Sequence, residues 1–112
     1  MAPVDCNEVR ARLDAVVAAM KQSGAWDVAR PEEAAFVDMG AFGTKTMAFE
    51  QWLRWVFVPS IEARLGAGGP WPNESHVAAQ AAREHGFGGS DAVGALVGPL
   101  SAFDALFTPP PP

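Results

Sequence analysis

The stretch Thr46-Met47-Ala48-Phe49-Glu50-Gln51-Trp52-Leu53-Arg54-Trp55-Val56-Phe57-Val58-Pro59 decides the fold. Phe49, Trp52, Leu53 and Val56 recur at the three–four spacing that puts them on one face of a helix turning about 100° per residue. Trp55 and Phe57 flank that face, while Glu50, Gln51 and Arg54 fall in a narrow opposite arc. The spacing therefore predicts a helix over 47–58 that is mostly enclosed by its neighbours, the central helix of the domain. Thr46 stands where an N-cap is wanted. Pro59 removes the amide that would bond the Trp55 carbonyl, so a kink or break is expected before Ile61 and Leu65 resume the pattern. The run Gly66-Ala67-Gly68-Gly69-Pro70 ends the element.

Upstream, Asp5 and Glu8 have the spacing of a capping box before Val9, Leu13, Val16, Val17 and Met20, which predicts a first helix over about 6–22, stopped at Ser23-Gly24. From Gly24 to Lys45 the periodicity lapses. Pro31, Gly40 and Gly43 punctuate a long connection with one helical turn begun at Pro31-Glu32-Glu33, anchored by Trp26, Phe36, Val37, Met39 and Phe42. Loops this long are often functional. Downstream, Trp71-Pro72-Asn73 leads into a third helix over about 74–85, stopped by Gly86. Ser90 or Asp91 caps a fourth that carries Val93, Leu96, Val97, Leu100, Phe103, Leu106 and Phe107 and is kinked by Pro99. Gly94 and Gly98 read as small residues at a close helix crossing. The expected fold is all-α, a compact four-helix bundle over 5–107 with a long irregular connection between helices one and two, followed by a proline tail at 108–112.

Composition narrows the function. The 112 residues are 49% hydrophobic, enough for one self-sufficient core. Eight basic residues scattered among thirteen acids leave a net charge of −5, which argues against autonomous binding of nucleic acid, because phosphate neutralisation needs a positive surface. No apolar run approaches the roughly 20 residues of a membrane span, and the N-terminus has no secretory pattern, so a cytoplasmic location is expected. The single cysteine, Cys6, fits a reducing compartment.

No motif carries chemistry. His76 and His85 fall on opposite faces of the expected third helix and belong to no carboxylate cluster, so they read as surface histidines rather than metal ligands. Cys6 has no neighbouring base and reads as an incidental thiol. The glycines at 66–69 and 86–89 follow no strand and lack the lysine of a phosphate loop, so they are helix stops. Trp52 and Trp55 could form an aromatic platform, but aromatics at helical spacing belong first to a core. Neither a catalytic residue, a cofactor nor a metal is expected.

The string from Thr46 to Pro59 resembles the central signature of the YqcC-like family of small bacterial proteins. The resemblance extends to Leu13 and Trp26 upstream, to Trp71-Pro72 where the family has Leu-Pro, and to Phe103-Asp104-Ala105-Leu106-Phe107. Lys45 and Gln51 depart from it, standing where the family usually has Asp and Glu. The resemblance implies an all-helical bundle whose genes neighbour that of a tRNA pseudouridine synthase of the C type, and hence an accessory role in tRNA modification.

Three functions follow as expectations. The leading one is a non-catalytic interaction protein whose partner is that synthase, through a surface made of Lys45, Thr46, Met47, Gln51, Arg54, Trp55, Trp71 and Pro72. The second is a small-ligand-binding or enzymatic domain with a pocket lined by Trp52, Trp55, Phe36 or Phe42. The third is a homodimer that buries leftover aromatic surface.

Overall fold

In the computed structural model of the chain, residues 5–38, 40, 42–69, 71, 75–86 and 91–107 are described; Met39, Pro72 and the proline tail lie outside them. Helix α1 spans Cys6–Ser23, and the Asp5 carboxylate caps it by accepting from the Asn7 amide at 2.8 Å. Glu8 does not complete a capping box. Its carboxylate lies 3.5 Å from Arg12 one turn on, so Asp5 caps alone. Val9, Leu13, Val16 and Met20 form the fully buried stripe, and Gly24, at φ +87°, ends the helix in the left-handed conformation.

Helix α2 departs most from the expectation. Its segments Phe49–Trp52, Leu53–Phe57 and Val58–Ala67 follow one another without a break, and the middle one is a π-helical turn in which the Val58 amide donates to the Leu53 carbonyl. This wide turn explains why Pro59 breaks nothing. It restarts the hydrogen-bond ladder, so Pro59 falls in the first turn of the segment Val58–Ala67, where a missing amide costs least. The extra residue in the turn also rotates the apolar stripe. Phe57 and Val58 become buried, and Val56 is left half-buried, whereas uniform α-helical spacing favours Val56. The N-terminus differs as well. Ala48, not Thr46, is the N-cap residue, and Gln51 reaches back so that its side-chain carbonyl accepts from the Ala48 amide at 2.9 Å.

Helix α3 spans Val77–Gly86 and α4 spans Asp91–Asp104, running on through Pro99. The most extensive packing is made by α4, against α1 and against α3. The centre of the domain is therefore α4, whose Val93, Leu96, Leu100 and Phe103 are essentially sealed from solvent, and not α2. A Cβ on Gly98 would meet no atom within 4 Å, so this glycine faces open space and does not permit a close crossing. The described residues contain helices and turns but no strand, and a radius of gyration of 13.8 Å is that of a compact domain. The described residues form an all-α bundle of four helices.

Candidate functional site

The polar arc of α2 is roofed by the connection from α1, which begins at Gly24. A 3-10 turn, Ala25–Asp27, turns Trp26 over Arg54, whose guanidinium lies 3.8 Å from the Trp26 ring centre and 4.5 Å from that of Trp55. Arg54 is thus held between two indole rings, an arrangement suited to a planar cation. The next residues are stitched down through their carbonyls. Trp55 Nε1 donates to Val28 at 3.1 Å and Gln51 Nε2 donates to Ala29 at 3.0 Å. A second 3-10 turn, Glu33–Phe36, stacks Phe36 on Arg30 at 4.9 Å, and the Thr46 hydroxyl donates to the Ala35 carbonyl. The connection is a fitted cover over α2.

On the other flank of α2 the chain leaves a groove of about 430 Å³. Phe42, Trp52, Phe57 and Phe103 form its aromatic wall, Val56, Ile61 and Val77 add aliphatic surface, and Ser60, Arg64, Ser75 and His76 supply its polar atoms. The wall is continuous: ring centres are 5.5 Å apart for Phe42–Trp52, 5.6 Å for Trp52–Phe57 and 5.2 Å for Phe57–Phe103. Gly43 fixes one end. At φ +71° it lies so close to Trp52 that a Cβ there would sit 2.6 Å from indole Cδ1, and its carbonyl accepts from Met47 at 2.9 Å.

Asp104, 7% exposed, is the buried charged residue among those described. It comes from the last turn of α4 and caps α3 from outside. Oδ2 accepts from the Ala78 amide at 2.8 Å and Oδ1 from the Ser75 hydroxyl. The residue that opens α3, His76, uses its carbonyl for the first helical bond, from Gln80, so the cap of the free amides comes from another helix.

Lys45, Thr46, Met47, Gln51, Arg54 and Trp55 lie where the connection meets the first turns of α2. The contacts of Gln51, Arg54 and Trp55 there hold the cover in place. Lys45 closes the loop locally with Asp38 at 3.1 Å, and Met47 packs on the core. Trp71 packs instead on Phe107, with ring centres 5.9 Å apart. Pro72 lies outside the described residues. Of the aromatics expected around a pocket, Trp52 and Phe42 line the groove, while Phe36 belongs to the cover and Trp55 of α2 bonds to it. Val37, expected to be an anchor, is 71% exposed. His76 precedes α3 rather than lying within it, and no three His, Cys, Asp or Glu side chains among the described residues are grouped as a metal site. No helix among those residues is long and apolar enough to cross a membrane. Sequence reasoning missed Ser60, Arg64 and Asp104. The four-residue spacing of Ser60 and Arg64 was the available signal for the first two, once α2 is known to continue through Pro59.

Comparison with known proteins adds two relatives and a family. An uncharacterised protein of Haemophilus influenzae is 34% identical over 68 residues, 61% of this chain and 64% of that protein. A tRNA pseudouridine synthase C of Pectobacterium carotovorum subsp. carotovorum is 42% identical over 59 residues, 53% of this chain but 16% of that protein. The chain thus spans less than two thirds of either relative. No solved structure matches it. The family model DUF446, described as tRNA pseudouridine synthase C, matches residues 8–106, and the chain belongs to that family.

Proposed function

We propose that the chain is a non-catalytic accessory protein whose partner is a tRNA pseudouridine synthase. The observation that carries this reading is the 16% coverage of the Pectobacterium protein. There, a segment similar to this chain is a small part of one polypeptide that as a whole bears the synthase name. Joining two modules in one chain fixes their effective concentration at about the millimolar level, which suits modules that act together. The resemblance of the string from Trp52 to Pro59 to the YqcC-like signature supports the same partner.

The chemistry of the chain supports a division of labour. Its charge of −5 suits a protein that leaves RNA binding to its partner. Both oxygens of Asp104 accept hydrogen bonds that hold α3, so this buried carboxylate is committed to structure. The contact surface is the exposed Val37 with Lys45, braced on Asp38, Thr46, bonded to Ala35, and Met47, together with Gln51, Arg54 and Trp55. The test is retrieval of the synthase by a tagged chain from its native host. Failure to retrieve it, together with full modification of the synthase's target position after deletion of this chain, overturns the reading.

A further inference from the structure

Two kinds of contact hold basic side chains in this fold. Arg10, Arg12 and Lys45 each pair with a carboxylate, that of Asp14, Glu8 and Asp38 respectively. Arg54, Lys21 and Arg30 turn to rings instead. Lys21 and Arg54 lie 5.2 and 3.8 Å from the centre of the Trp26 ring, Arg54 also lies 4.5 Å from that of Trp55, and Arg30 lies 4.9 Å from that of Phe36. Among the described residues, none of these three side chains forms an ion pair or donates a hydrogen bond. Glu50 stands four residues before Arg54 on α2, the spacing at which Glu8 holds Arg12, yet no ion pair joins it to Arg54.

The half-buried Arg54 guanidinium thus carries donors that only water or a partner can meet. Rings meet a guanidinium over its flat faces, whereas its five donors lie in its plane, so Trp26 and Trp55 hold Arg54 and leave those donors unpaired. A fork fixed in this way loses little freedom on meeting the two oxygens of a carboxylate. We infer that Arg54 is the charged anchor of the contact surface and pairs with an aspartate or glutamate side chain of the protein partner. The inference rests on the partnership proposed above and adds the chemistry of the group that meets this chain. One carboxylate carried by a protein suits the surroundings better than the phosphates of an RNA. Asp27, Glu32 and Glu33 are exposed on the same cover and the chain carries a charge of −5, so a polyanion is repelled along its length, whereas a single carboxylate meets Arg54 with Lys21 nearby on the Trp26 ring. The indoles are also engaged by the chain's own cations, which a stacking base would have to displace.

Calorimetric titration of the chain into nuclease-treated synthase, at about 50 mM and about 300 mM salt, tests it. Arg54→Met keeps the bulk between the rings and should weaken the complex at least about tenfold at the lower salt, the scale of a charge-assisted hydrogen bond. Arg54→Lys, which has the charge without the planar fork, should fall between the two. Salt should weaken the parent complex more than that of Arg54→Met, a difference that a purely structural role of Arg54 would not produce. Melting curves confirm that both variants are folded. An affinity changed less than about threefold by Arg54→Met, or the same salt dependence in parent and variant, overturns this inference and leaves the partnership standing. A complex that forms only when tRNA is present also overturns it and assigns the surface to RNA. Absence of any complex overturns the partnership, and the inference with it.

Discussion

Replacing Asp104 with alanine tests whether a carboxylate from α4 holds the start of α3. The substitution takes the acceptor from the buried Ala78 amide and from the half-buried Ser75 hydroxyl. An orphaned buried donor costs about 1–3 kcal/mol, and this term already contains the loss of the helix cap. Ser75 can turn toward water, so losing its charged acceptor adds only about 1 kcal/mol. The sum is about 2–4 kcal/mol. At about 4–5 °C per kcal/mol for a domain of this size, Tm should fall by about 8–20 °C. Asp104→Asn keeps a carbonyl oxygen for the Ala78 amide and lets the side-chain amide donate to Ser75, so it should cost about half as much. Thermal melting followed by circular dichroism, with urea titration to check that the m-value is unchanged, measures both. An alanine variant that melts within about 2 °C of the parent, or an asparagine variant as unstable as the alanine one, would refute the capping role.

Other substitutions probe the remaining features. Gly43→Ala combines a left-handed backbone with a Cβ 2.6 Å from Trp52, so it should cost about 2 kcal/mol or more and disturb Trp52 fluorescence; a neutral result would mean that the 42–47 loop does not bear on the indole. Arg54→Met keeps the bulk between Trp26 and Trp55 and removes the charge. It should cost about 1 kcal/mol or less globally but speed amide exchange across 25–36, and unchanged exchange there would contradict the clamp. The isolated chain should bind tRNA with Kd above about 100 µM at physiological salt, and fluorescence anisotropy showing tighter, salt-sensitive binding would reverse the reading of its charge.

The parts of the fold legible in the sequence are those where one stripe of residues meets one neighbour. Val9, Leu13, Val16 and Met20 announce α1, and Val93, Leu96, Leu100 and Phe103 announce α4, because each stripe keeps the helical period over its length. In α2 the period changes inside the element, at the π turn. A template with one fixed period therefore favours Val56 over Phe57 and treats Pro59 as a breaker. That single local event hid half of the groove, because Ser60 and Arg64 acquire a common face with Trp52 and Phe57 only if the helix continues. The connection is partly legible. Its aromatic anchors Trp26 and Phe36 can be recognised, but the bonds that seat it join Gln51 to Ala29 and Trp55 to Val28, 22 and 27 residues apart, and no local pattern encodes such pairs. Asp104 lies at the same limit, since a carboxylate at the end of one helix gives no sign that it caps another.

The most direct measurement of the central claim is titration of the purified chain into the purified tRNA pseudouridine synthase of the same organism, followed by calorimetry and by light scattering on the mixture. The expected result is a single stoichiometric complex with Kd of about 1 µM or tighter, weakened at least tenfold by Val37→Asp at the exposed Val37. Two species that remain separate at about 100 µM of each would contradict it.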